Sequence, residues 1–257
     1  MNARSLSIVF LGLSLSSSWG NGHATTYRAL LKALHQRGHD LLFLERDLPW
    51  YAAHADLLYP RFCRLDLYAD LEDLAQRYRR AIGEADIVVV GSYVPQGVAV
   101  AGMALDWASG LVGFYDIDTP VTLAKLDAGD EEYLSAALVP AFDFYLSFTS
   151  GPSLDRLRND YGARLTWPFH CMVDPTLYRP TGETRRWDLG YLGTYSVDRQ
   201  PALERLLIGP ARRLPDLRFV VAGAQYPDTI DWPANVELIE HIPPAEHASF
   251  YSRLRFA

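Results

Sequence analysis

Three loops in this 257-residue chain carry residue types that bind sugars, phosphates or protons. The first is Gly20-Asn21-Gly22-His23. A glycine pair ahead of a helix leaves backbone N–H groups open to an anion, because the positive end of the helix dipole favours negative charge. His23, in or next to that first turn, is disfavoured as an imidazolium and stays a neutral base. A surface or capping histidine is the plain alternative. A dinucleotide fingerprint needs Gly-x-Gly-x-x-Gly/Ala, and Thr25 stands in its last place, although Glu45 sits where a ribose-binding acid would. The second loop is Tyr115-Asp116-Ile117-Asp118-Thr119-Pro120. Its i, i+2 spacing turns both carboxylates to one side of an extended segment, where they can hold sugar hydroxyls or accept a proton. Helix capping by Asp118 or Thr119 ahead of Pro120 explains the same residues without chemistry. The third loop runs from Gly193 through Thr194, Tyr195, Ser196 and Asp198 to Arg199. Hydroxyls, helix-start amides and one cation are what a departing diphosphate needs when no metal is present. Arg199 as a solvated helix-start residue is the alternative there. Gly223-Ala224-Gln225-Tyr226 ends a later strand and is expected to line the same crevice.

The elements around these loops alternate between strand and helix. Leu6 to Leu13 is a continuous apolar run of the kind buried on both faces of a parallel sheet. Tyr27, Leu30, Leu31 and Leu34 then recur at helical spacing, Gly38 stops the helix, and Leu41 to Leu44 closes a βαβ unit. Next come a helix over 71–82, a strand over 86–91, a helix over 96–108, a strand over 111–115, a helix over 130–138 and a strand over 144–148. Proline and turn residues between Trp167 and Trp187 read as a linker. A second series follows: strand 188–193, helix 200–213, strands 217–223 and 236–239, and helix 245–254. The expected class is α/β with parallel sheets, in which ligands bind outside the carboxyl ends of the strands. The expected domains are 1–170 on the acceptor side, a linker over 171–187, and 188–257 on the donor side.

Composition excludes several classes. With 49% hydrophobic residues the chain can bury a core. A net charge of −7 argues against nucleic acid as a partner, since that needs clustered Lys and Arg. Cys63 and Cys171 are too few for a disulfide framework or a structural metal site, and fit a reducing, cytoplasmic setting. Met1 to Ala24 has an early Arg4 and a Gly22-His23-Ala24 that passes the small-x-small test for signal cleavage. Its apolar run is short, broken by serines, and makes better sense as a strand. No stretch approaches the ~20 apolar residues of a membrane span, while peripheral membrane contact stays open.

The segment Pro168-Phe169-His170-Cys171-Met172-Val173-Asp174-Pro175-Thr176-Leu177-Tyr178-Arg179-Pro180 resembles the interdomain signature of GT-B glycosyltransferases. Leu189 to Arg199, Phe219 to Gly223 and Asn235 to Tyr251 are similar to successive parts of the donor domain. More closely, Ser17 to Leu30, Tyr115 to Pro120 and Tyr191 to Ser196 resemble the CgeB-like, spore-maturation group. The resemblance implies two Rossmann-like domains facing a cleft, a nucleotide-sugar donor, an unspecified acceptor and no obligatory metal or other cofactor. It places Gly22 and His23 near the transferred sugar, and Gly193, Thr194 and Arg199, with Gly223, on the diphosphate. Asn21 and Asp118 fall on the acceptor side, with His23 or Asp116 as the base if the reaction inverts. The chain departs from the pattern in having Thr194 where an Arg is usual, no following Lys, and Cys171-Met172 where the signature has Asn-Gly.

The family's later Gly-rich turn and paired-glutamate segment do not occur. Two such domains ordinarily take about 300–400 residues, so the second is expected to be incomplete and the polypeptide alone to transfer weakly or not at all. A sugar transferase is the first reading. A non-catalytic remnant or binding subunit of the same fold is the second. A nucleotide-dependent oxidoreductase, supported by Glu45 and opposed by Thr25, is the third.

Overall fold

The structure is a computed structural model and describes residues 4–257. The chain divides into two compact units: residues up to Ser17 with His23–Met172, and Ser18–Gly22 with Val173–Ala257.

The first unit begins with β1 (Ser7–Gly12), α1 (His23–Gln36), β2 (Asp40–Arg46), α2 (Pro49–Ala52) and β3 (Arg64–Tyr68). It continues with α3 (Leu71–Glu84), β4 (Ile87–Gly91), α4 (Gly97–Trp107), β5 (Leu111–Asp116) and α5 (Thr119–Asp127). It ends with β6 (Phe144–Ser147), α6 (Pro152–Asn159) and β7 (Thr166–Pro168). The strands form one parallel sheet in the order β3-β2-β1-β4-β5-β6-β7. Strand order reverses between β1 and β4, which makes the crevice beyond their carboxyl ends the topological switch point. Both faces of the sheet are covered. Val9, Leu11, Val88 and Val90 pack into one core with α3 and α4, while Ile8, Phe10, Val89 and Tyr115 pack on the other face with Tyr27 and Leu31 of α1.

The second unit holds β8 (Trp187–Leu192), α7 (Gln200–Leu203), α8 (Gly209–Arg213), β9 (Phe219–Ala222), β10 (Val236–Ile239), α9 (Pro244–Ser252) and β11 (Leu254–Phe256). Its parallel sheet runs β10-β9-β8-β11, again reversing beside the first strand. Val220 and Ala222 pack with Trp187, Phe250 and Leu254, and Phe219 and Val221 pack with Leu203, Leu207 and Ile208.

Several expected elements move. The helix after β5 spans Thr119–Asp127, not 130–138. Asp118 and Pro120 start it, and Gly129 at φ 68 follows its end. Residues 130–138 are irregular and are fixed instead by the buried Tyr133 and Leu134 and by ion pairs of Lys125 with Asp130 and Glu132. The helix over 200–213 is interrupted by a π turn at Glu204–Ile208, where the Gly209 N–H reaches back to the Glu204 carbonyl. Pro210, which has no N–H to donate, follows at once. The final helix stops at Ser252, and Leu254 and Phe256 pair with Trp187 and Leu189 as a strand. β3, β7, α2 and α6 were not expected from the sequence.

Candidate functional site

In the first unit, polar side chains gather where β1, β4 and β5 end. His23 is the first residue of α1 and only 6% exposed. Its Nε2 lies 2.9 Å from Oδ2 of Asp118, the residue preceding α5. Asp118 does not cap its helix with its side chain. Its Oδ2 accepts instead from the Ser92 hydroxyl at 2.9 Å, and the Ser92 oxygen accepts the Ile117 N–H at 3.1 Å. With the Nε2 proton donated to Asp118, the lone pair of the neutral ring is on Nδ1. That atom is buried and has no hydrogen-bond partner among the described residues. A carboxylate fixing one ring nitrogen so that the other can take a proton is the geometry of general-base catalysis.

Asp116 lies beneath this pair and is fully enclosed. Its Oδ2 accepts from Tyr145 at 2.7 Å, and its Oδ1 from Thr122 and from the Asp118 N–H, both at 2.9 Å. Burial pushes its carboxyl up to about 6, against the pull of those three hydrogen bonds. The two expected carboxylates therefore divide: Asp118 touches His23, and Asp116 holds the Asp118 backbone.

Glu45 does not stand free for a ribose. It is 1% exposed and accepts from the Leu15 N–H at 2.7 Å, the Ser16 N–H at 2.9 Å, and the hydroxyls of Ser16 and Ser14 at 2.6 and 3.0 Å. It shapes the loop after β1, which corrects its expected place in the oxidoreductase reading. Sequence reasoning passed over Ser92, Thr122 and Tyr145. The loop after β4 also ends a buried strand at the switch point, and that rule alone would have drawn attention to Ser92.

The second unit brings its expected residues together at the ends of β8 and β9. Thr194, Ser196, Arg199 and Gln200 line a small pocket with Tyr191, Leu203 and Tyr226. The Arg199 guanidinium reaches the Tyr191 hydroxyl at 3.5 Å. The Gly193 N–H donates to Ala222, and its carbonyl accepts the Tyr226 hydroxyl at 2.9 Å. Gly223 has φ 154, and a Cβ there would lie 2.0 Å from the Gly193 oxygen. Of the remaining expected residues, Asn21 is half-buried and donates from Nδ2 to the Trp19 carbonyl, and Gly22 is exposed. Among the described residues no three His, Cys, Asp or Glu side chains converge as metal ligands, and no helix is long and apolar enough to cross a membrane.

Residues 199–257 match a family model described as glycosyl transferase-like. No curated protein matches the chain in sequence. Among solved structures, an alpha-glucosyltransferase in complex with UDP is 13% identical over 98% of this chain and 72% of its own, with a TM-score of 0.61. The catalytic domain of starch synthase IV from Arabidopsis thaliana, bound to ADP and acarbose, is 12% identical over 97% and 77%, with a TM-score of 0.62. A putative UDP-N-acetylglucosamine 2-epimerase from Listeria monocytogenes is 13% identical over 98% and 72%, with a TM-score of 0.53. The fold is that of the GT-B glycosyltransferases: two parallel-sheet Rossmann-like units.

Proposed function

We propose that the protein transfers a sugar from a nucleotide-diphosphate donor to a hydroxyl acceptor, with His23 as the proton acceptor and Asp118 orienting it. The observation that carries this is the 2.9 Å contact from His23 Nε2 to Asp118, itself fixed by Ser92 and by its backbone bond to Asp116. Asp116 is a positioning residue in this scheme. The donor diphosphate is assigned to the loop carrying Gly193, Thr194 and Arg199, with Gly223 permitting its shape. Asn21 and Gly22 are assigned to the entrance of α1, on the acceptor and sugar side. Bound UDP and ADP in structural neighbours support a nucleotide-sugar as donor class. Kinship with the CgeB-like group, a cytoplasmic setting and independence of metal and other cofactors belong to the same proposal.

As the acceptor hydroxyl attacks the anomeric carbon, its proton passes to His23, whose buried Nδ1 must be uncovered for the acceptor to reach it, and the donor C–O bond breaks. Charge then builds on the departing diphosphate, where Arg199 and backbone N–H groups stabilise it. A base on the acceptor side implies inversion at the anomeric carbon. The test is incubation with UDP-glucose and ADP-glucose, following nucleotide release and product anomer by NMR. Release of UDP or ADP with inversion, lowered about 10²–10⁴-fold by His23→Ala, is the expected result. Retention of configuration, or full turnover by His23→Ala, would remove His23 from the base role. No turnover of either nucleotide-sugar, together with no binding of UDP or ADP by calorimetry, would end the transferase reading.

The epimerase neighbour shares the fold and a UDP-sugar ligand class in its name. A parallel incubation with UDP-N-acetylglucosamine separates the two activities, because epimerisation changes the sugar without transferring it to an acceptor.

A further inference from the structure

The loop joining β4 to α4 contains two non-glycine residues in the left-handed region, Tyr93 at φ 59 and Gln96 at φ 56. A bulky residue rarely adopts that backbone, and such strain persists only where the surroundings hold it. Here they do. The Tyr93 ring packs on Tyr133 with centroids 4.5 Å apart and meets the His23 ring edge-on at 6.2 Å and 80°. Tyr133 is 2% exposed, and its hydroxyl is 2.7 Å from Thr122, which in turn donates to Asp116. Gly97 admits the Tyr133 backbone at the start of α4, where a Cβ would come within 2.4 Å of the Tyr133 carbonyl oxygen. Tyr93 itself stays half-buried. A strained backbone thus holds an aromatic ring, backed on one side by Tyr133, against the side of His23.

We propose that Tyr93 selects the acceptor, by packing against the carbon-bound face of a ring whose hydroxyl is presented to His23. The class favoured is a cyclic alcohol or glycoside, since an aromatic ring rewards a flat apolar face and offers little to a short flexible polyol. This rests on the transferase reading, but its readout needs no donor.

The full chain and its Tyr93→Phe, Tyr93→Gly and Tyr93→Asn variants are titrated with phenyl β-glucoside and with glycerol, observed by saturation-transfer NMR. Gly and Asn both tolerate a positive φ, so two ringless variants are expected to keep the loop conformation and cooperative unfolding. Phenyl β-glucoside is expected to bind the wild type and Tyr93→Phe within about two-fold of each other, and the ringless variants about ten-fold more weakly. Glycerol is expected to bind none of them. The proposal is overturned if the wild type fails to bind phenyl β-glucoside at millimolar concentration, if either folded ringless variant binds it like the wild type, or if glycerol binds equally well. Tyr93-dependent binding of the glycoside, with neither turnover of either nucleotide-sugar nor binding of UDP or ADP, would overturn the transferase reading and leave Tyr93 as the ring-recognising residue.

Discussion

A buried carboxylate is tolerable only when donors replace the water it has lost, and Asp116 and Glu45 meet that demand in different ways. Asp116 takes two hydroxyls and one backbone N–H, and through the last of these sets the turn that presents Asp118 to His23. Glu45 takes two backbone N–H groups and two serine hydroxyls from residues 14–16, fixing the loop after β1. The same loop is tied outward: the Ser16 carbonyl accepts the N–H groups of Asp56 and Leu57, and Arg28 donates to the Leu15 carbonyl. Glu45→Gln keeps the shape but removes the charge and replaces one acceptor oxygen by an NH2, which either faces the Leu15 and Ser16 N–H groups or turns the serine hydroxyls into acceptors whose own protons need new partners. Loss of charge-assisted bonds inside the protein is expected to cost about 2–4 kcal/mol in urea unfolding. A variant within about 0.5 kcal/mol of the wild type, the usual range for a surface change, would show that the four bonds matter little.

Parallel strands set the site by ending together, so the loops after β8 and β9 meet only if their backbones can touch. Gly223 makes that contact, with φ 154 and the Gly193 oxygen where its Cβ would be. Gly223→Ala is therefore expected to push the loop of Thr194 and Arg199 away from β9 and to weaken UDP or ADP binding at least about ten-fold by calorimetry, the equivalent of ~1.4 kcal/mol. Unchanged nucleotide affinity in this variant would take the diphosphate away from that loop. The strands β1, β4 and β9, each ending at or just before a glycine, were legible because their buried apolar runs admit no other element of that length. β3 was not: Arg64-Leu65-Asp66-Leu67-Tyr68 interleaves charge with apolar residues, as suits a strand at the sheet edge, and its alternation is short. The helix after β5 was misplaced because the polar start at Asp118 reads equally as a loop; Asp118 precedes α5, and its side chain turns to His23 and Ser92 instead of capping the helix. The His23 and Asp118 pairing was illegible for a different reason. The two residues lie 95 positions apart, and only the adjacency of β1, β4 and β5 brings them within a hydrogen bond.

Across the whole molecule the same strand reversal occurs twice, in a seven-stranded and a four-stranded sheet, and each unit carries its candidate residues at the carboxyl ends of its strands. The His23 and Asp118 pair of the first unit is held by a closed circuit of contacts. Asp116 binds the Asp118 N–H and Thr122, Thr122 meets Tyr133, Tyr133 packs on Tyr93, Tyr93 meets His23, and His23 returns to Asp118. The charge at its centre makes stability depend on pH. Asp116 titrates at about 6 in the folded protein against an ordinary 3.8, so folding favours its protonated form. The stability gained from this group is complete below about pH 4 and is lost as pH rises through about 6, a difference on the order of 3 kcal/mol by linkage. Asp116→Asn has no proton to lose. Urea unfolding of both proteins between pH 4 and pH 7 should show the wild type losing stability relative to Asp116→Asn as pH rises, with other titrating groups cancelling in the difference. A parallel pair of curves would mean that the three hydrogen bonds offset burial completely, and a wild type gaining on the variant would mean that they outweigh it.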